Sequence, residues 1–426
     1  MVALPCWIAL NSGDLDHLDD ADLELTRPPI SPAENGFTLL KTATAQSASP
    51  LDEVAQGRLA AILARRAADP DWIDQLASKN AGAFDLLDAA LATERFQIPV
   101  FEARAKDAFD PFLHVQHLVR VAAARAQTFG QQGMTAPALR HATLGMRMSR
   151  KLSEATGTHI LALTFAWASQ SISLVAIEEL LRSDLELSPA ESRQFALELE
   201  AYRSRDSDWV RAWATEYQWT KTNLLAEAPE VEVDDRTKEL WRELDAHAPP
   251  SDWVIRHLPQ EYLFHPKRTL ARFADMYRRL SRRSQQTCLE WRNTAASEAK
   301  IEEPTEWETF RDLLRPNYVG WTTLELIEPT NGRFLVRRCV MDTRISLVQA
   351  LAGLNAHLHA TGRLPDSLED LVPRYLPATP KDHFDGRPLR YSAGSRTVYS
   401  IGDDFIDDGP PTAPSQIASD EPAIRL

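Results

Sequence analysis

The sequence predicts a mainly α-helical protein, an irregular helical-hairpin domain followed by a small α+β module. Three observations carry this. No glycine occurs between Gly157 and Gly320, whereas seven punctuate residues 332–409. Long glycine-free stretches rich in Ala, Leu, Glu and Arg favour helix. Apolar residues recur at steps of three and four through the first three quarters of the chain, and short β-rich runs enter only after residue 387.

Residues 1–50 read as an irregular extension, acidic and then rich in Pro, Ser and Thr. The first helix falls at about 51–66, where Val54, Leu59, Ile62 and Leu63 share a face, and the second at about 80–96, with Phe84, Leu87 and Leu91. Helices at about 112–128, 136–155 and 158–182 follow. Ser188-Pro189-Ala190-Glu191 is a capping box with proline at the first helical position, opening a helix to about 204. Amphipathic segments continue at 207–225, 235–247, 267–292 and 305–315. No fixed-period repeat is present, so an irregular bundle of hairpins over 51–330 is expected rather than a regular solenoid. The module spans 331–409, and the proline-rich residues 410–426 read as a disordered tail.

Charge and ends narrow the function classes. The net charge of −14 over 426 residues argues against a nucleic-acid binder, whose affinity comes from cations neutralising phosphates. Cys6, Cys288 and Cys339 are an odd, scattered set without C-x-x-C spacing, which indicates neither a disulfide framework nor a zinc site. Val2–Leu10 is apolar but lacks the basic n-region of a secretory signal. It reads as a segment packed on the domain, or as the end of a membrane anchor lying upstream. Residues 155–177 contain no Asp, Glu, Lys or Arg, yet polar residues are spread throughout, so a buried central helix is expected rather than a membrane span.

Several side-chain groups invite chemistry. His114 and His117 lie three apart on one face with His141 on the next helix, a trio that could hold zinc in a metal-assisted hydrolase. Ordinary surface or half-buried histidines explain them more simply. Trp209, Trp213 and Tyr217 form an i, i+4, i+8 stripe, core unless exposed. Arg278, Arg279, Arg282 and Arg283 concentrate positive charge on one helix. That is a docking face for an acidic partner protein if open, and a solvated face if paired. No G-x-S-x-G, Walker or G-x-G-x-x-G motif occurs, so no catalytic residue is assigned.

The C-terminal text is more specific. Val336, Val340, Leu347, Leu351, Leu354 and Leu358 form one ridge of a long helix that Gly362 stops. A proline-closed turn over Leu364–Pro373 follows. Asp385-Gly386 then supplies a turn before two strands at 387–391 and 396–401. Leu364-Pro365, Leu371-Val372-Pro373, Tyr375-Leu376-Pro377, Pro380-Lys381-Asp382, Phe384, Gly386, Pro388, Tyr391 and Tyr399-Ser400-Ile401-Gly402 occur in this order. This order resembles the globular domain of the major pseudopilin of type II secretion systems, over less than a fifth of the chain. His383 stands where that family has proline, and Asp385 is an insertion. The remainder resembles helical bacterial envelope proteins that place such a module after a helical domain. Asn35–Leu40 echoes the prepilin processing motif superficially, but Lys41 replaces its glutamate and no apolar anchor helix follows.

The resemblance implies calcium in the loop after the last strand, with Asp404 matching best and Asp403, Asp407 and Asp408 beside it. Calcium takes about 6–8 hard oxygen ligands. It also implies a non-enzymatic envelope or periplasmic protein with an assembly or protein-binding role. Membrane association would come through an anchor outside this chain. A cytoplasmic helical scaffold binding a partner through the arginine face or the Trp209–Tyr217 stripe is the alternative.

Overall fold

The computed structural model describes residues 13–48, 51–99, 110–227, 260–298, 315–410 and 422–426. The segments expected to be helical at 235–247 and nearly all of 305–315, the apolar Val2–Leu10 and most of the proline-rich tail lie outside the described residues.

The region expected to be irregular holds a helix, α1 (Gly36–Ala45). Asn35 starts it, its side chain accepting from the Phe37 amide, while its amide group donates to the Gln97 carbonyl at 2.9 Å. Phe37, Leu40 and Ala43 repeat every three residues and bury against Leu87, Phe96 and Phe112. Gly36 is required by that approach, since a Cβ there would sit 2.7 Å from the Phe96 ring. Next come α2 (Glu53–Leu63), α3 (Pro70–Lys79) and α4 (Ala81–Ala92). Asp52 caps α2, which buries Leu59 and Ile62 and leaves Val54 82% exposed, off the expected face. The composition did not announce α3, although Asp69 capping and Pro70 at the first position are a start signal in plain sight.

Three longer elements form the centre: α5 (Asp110–Gln131), the pair α6 (Thr135–Ala142) and α7 (Leu144–Glu154), and α8 (Ile160–Ser183). The single helix expected over 136–155 breaks at Thr143. There α7 turns to meet α8 backbone to backbone. A Cβ on Gly145 would lie 2.1 Å from the Ser169 carbonyl oxygen, and the Gly145 amide donates to Ser173 Oγ at 2.9 Å. α8 is long and apolar enough to cross a bilayer, with mean hydropathy 1.8, yet 61% of that window is buried. Leu163, Trp167, Leu174, Ile177 and Leu180 place it in the core.

The capping box at α9 (Pro189–Ala201) forms as expected: the Glu191 amide donates to Ser188 Oγ and the Ser188 amide to the Glu191 carboxylate. α10 (Asp206–Glu227) carries the aromatic stripe against α12 (Pro266–Arg283), which follows the short α11 (Gln260–Leu263). Trp213 and Tyr217 centroids lie 6.1 and 6.2 Å from Tyr277, so burial and ring packing lock the two helices together. The helix expected over 267–292 is two, α12 and α13 (Cys288–Glu298).

α14 (Tyr318–Thr361) has 44 residues, about 66 Å at 1.5 Å per residue, and ends at Gly362 with φ +74°. The boundary expected at 331 falls within it. Its buried face, including Ile345, Val348, Leu351 and Leu354, joins the core built by α8, α9 and α12. Against its C-terminal half fold the 3₁₀ turn Glu369–Leu371 and a sheet of β1 (Arg390–Ser392), β2 (Thr397–Tyr399) and β3 (Ala423–Arg425). Gly353 makes room for Leu376, since a Cβ would approach its Cγ to 2.7 Å. The order is β1-β2-β3, antiparallel throughout, with Tyr391 opposite Val398 and Val398 opposite Ile424.

β3 corrects the disordered-tail expectation at the last residues. Ile424 is 3% exposed and completes the core beside Val398. The strand covers an edge of β2 that would otherwise be open to pairing with other chains. The cysteines are a second correction. Cys288 of α13 and Cys339 of α14, 51 residues apart, form a disulfide with Cα atoms 6.2 Å apart. Helix packing makes the pair, and no local spacing could announce it.

Candidate functional site

The most elaborately built polar site lies in the C-terminal module, on the turn from Lys381 to Gly386. The Asp382 amide donates to the Arg387 carbonyl and the Gly386 amide donates back to the Asp382 carbonyl, each at 2.8 Å. Gly386 has φ +74°, a conformation glycine adopts without cost. The turn aims the Asp382 carboxylate into the module, where it is fully buried. One oxygen accepts from the Phe384 amide and Ser400 Oγ at 3.0 Å each. The other accepts from the Ile401 amide at 3.0 Å and Arg390 Nη1 at 2.9 Å. Burial pushes this carboxyl above the usual carboxylate range, against the pull of its donors. Both oxygens are fully engaged, so the group ties the turn to the end of β2. His383 donates its amide to Thr343 Oγ1 at 3.1 Å, fixing the turn to α14. Its half-buried ring is pushed down to about 3, chiefly by desolvation and further by Arg203, Arg338 and Lys381.

Asp403, Asp404, Asp407 and Asp408 all lie exposed on the loop after β2. Asp404 accepts from the Ile406 amide and Asp407 from the Gly409 amide, at 2.9 and 3.2 Å. Asp407 also lies 3.5 Å from Arg390 Nε. Among the described residues no group of three or more His, Cys, Asp or Glu side chains is gathered to hold a metal. The same finding separates His114, His117 and His141. His114 Nδ1 meets Ser47 Oγ at 3.1 Å, His117 is 8% exposed, and His141 packs on Phe129.

Of the arginine face, Arg278 is committed within the fold. It grips Asp22 at 2.5 and 2.9 Å, the Asp19 carbonyl at 2.9 Å and Asp275 at 3.0 Å. Arg279 and Arg283 also have partners, and Arg282 is exposed. Trp209, Trp213 and Tyr217 are essentially inaccessible, which makes the stripe core and removes it as a ligand platform. Tyr217 Oη donates to Asp20 at 2.6 Å, and Lys221 Nζ binds the same carboxylate at 2.6 Å.

A cavity of about 680 Å³ opens between α8, α14 and β3, lined by Trp167, Ser171, Glu178, Met341, Arg344 and Ile424. Glu178 is paired with Arg182 at 2.6 Å, and Arg344 Nη1 reaches Ser171 Oγ at 3.4 Å. The motif names Asp382 but not Arg390, whose carboxylate partners come from the 381–386 turn (Asp382, Asp385) and from the loop after β2 (Asp407). No family model matches the chain, and neither a curated protein nor a solved structure matches it.

Proposed function

We propose that this chain is a non-enzymatic protein of the bacterial cell envelope with an assembly or protein-binding role, its C-terminal module being pseudopilin-like. The observation that carries the reading is that the residues of the resembling text are the ones that build the module. Leu371, Tyr375 and Leu376 pack into the core with α14. The Leu389 amide donates to the Pro380 carbonyl at 3.0 Å, and Tyr391 Oη donates to the Pro365 carbonyl at 3.2 Å. Asp382 ties the Lys-Asp turn to the Ser-Ile-Gly end of β2. The module is therefore not an arbitrary proline-rich appendage.

The Cys288–Cys339 disulfide supports the compartment. Such bonds persist in oxidising surroundings and are rare in the reducing cytosol.

The test is to quench native cells in acid, fractionate them, and alkylate the denatured protein with a mass tag before and after reduction. Two further thiols, Cys288 and Cys339, are expected to label only after reduction, with the protein in the envelope fraction. Labelling of both without reduction, in protein from the cytosol, would favour the cytoplasmic scaffold and overturn the proposal.

A further inference from the structure

We propose that the cleft where α3 to α7 meet binds a small molecule through an oxyanion, a phosphate ester or a carboxylate, held by Arg125, Arg140 and Arg147. The site is independent of the C-terminal module and goes beyond the envelope reading. The cleft encloses about 550 Å³, within the range of small-molecule pockets. Its guanidiniums come from three helices: Arg125 from α5, Arg140 from α6 and Arg147 from α7.

The protein's own carboxylates leave much of this donor capacity unused. Arg147 Nη1 meets Asp88 Oδ1 at 3.1 Å, and Arg140 Nη2 reaches the other Asp88 oxygen only at 3.5 Å. Arg125 Nε is 3.8 Å from Asp74, beyond hydrogen-bond reach. Each guanidinium offers five donors, so the donors that Asp88 and Asp74 do not take face the solvent of the cleft, where a bound oxyanion would meet them. The Nε atoms of Arg125 and Arg147 are both shut away from solvent without an acceptor. Native proteins rarely leave such groups unpaired, and those that remain call for an explanation. Arg125 is held in place by its position over the Phe129 ring, 5.2 Å from the centroid.

Asp85 and Asp88 of α4 line the cleft beside the three guanidiniums, and Asp74 stands 3.8 Å from Arg125. His141, the remaining titratable group on the wall, adds no charge. Burial, then Arg125 and Arg140, push its imidazole down to about 4 against the opposing pull of Asp88, so the ring is neutral near pH 7. An oxyanion bound among the arginines would cancel the field that disfavours the imidazolium. The His141 ring is therefore a built-in reporter.

The experiment uses the full chain with imidazole-labelled histidine, titrated separately with inorganic phosphate and with citrate, each against sodium chloride at equal ionic strength. Calorimetry gives the affinity and NMR gives the His141 titration midpoint. Saturable binding by one probe is expected, with the His141 midpoint rising as the bound anion offsets the arginine field. Saturation by phosphate assigns a phosphate ester, and saturation by citrate alone assigns a carboxylate. Arg125→Gln and Arg147→Gln should each weaken binding about tenfold or more. Arg140→Gln, whose side chain is 72% exposed, carries the test if neither of these half-buried variants folds. Absence of saturation by both probes, an equal response to chloride, or unchanged affinity in the folded arginine variants would overturn the proposal.

Discussion

Asp382→Ala is expected to lower unfolding stability by about 3–5 kcal/mol, the range for breaking a buried, hydrogen-bonded ion pair. Four donors lose their acceptor at once: the amides of Phe384 and Ile401, the Ser400 hydroxyl and one Arg390 nitrogen. Buried donors left without partners cost about 1–3 kcal/mol each when nothing relaxes. Arg390 softens the loss because it still reaches Asp385 at 2.6 Å. Asp382→Asn does not rescue the site, since one oxygen becomes an NH₂ group facing two donors. The measurement is a urea midpoint at unchanged slope. Asp404→Ala, on the exposed loop, should shift stability by no more than about 0.5 kcal/mol. Equal, small effects for Asp382 and Asp404 would remove Asp382 as the tie of the module.

The second large effect is acid lability from buried imidazoles. His117, His141 and His159 are pushed down to about 4 and His383 to about 3, in each case chiefly by burial. The unfolded chain takes up these protons near pH 6.5 and the folded chain does not. Stability therefore falls as pH drops below about 6.5 and continues to fall to about 4. A fully buried group contributes about 1.4 kcal/mol per pH unit. His141 and His383 keep the most solvent and are discounted, so the four together give about 3 kcal/mol per pH unit.

Glu216 works in the opposite sense. Burial raises its carboxyl to about 7, against the amide of Ile160 that it accepts at 3.0 Å. It destabilises progressively from about pH 4.5 to 7, which flattens the rise that the histidines produce. Urea midpoints from pH 4.5 to 8 should climb steeply and level off near pH 7. Glu216→Gln should raise the neutral-pH end by about 2 kcal/mol. A profile that is flat, or highest at pH 4.5, would contradict the burial of these rings.

The helical hairpins were legible because their signals are local. Ser188 and Glu191 announce α9, and the Trp209–Tyr217 spacing announces a buried face. The β1–β2 hairpin was legible for the same reason, a turn flanked by short alternating runs. What escaped depends on contacts between distant residues. Asn35 starts α1 inside a proline-rich stretch, and its side chain is oriented by Gln97, far along the chain. Ala423–Arg425 is too short to read as a strand until β2 offers its edge. Cys288 and Cys339 meet only because α13 packs on α14. The candidate site divides similarly. The motif named Asp382 and Ser400, but burial and Arg390 made them one network. The acidic loop, legible as a charge cluster, is spread out by amides and by Arg390.

Native-state hydrogen exchange tests most directly whether residues 331–409 and the terminal strand form one unit tied through Asp382. Protection of the Phe384, Ile401 and Tyr399 amides at the level of the α8 core, lost together in Asp382→Ala, is the predicted result. Exchange of these amides at the rate of an open loop, with the helices still protected, would contradict it.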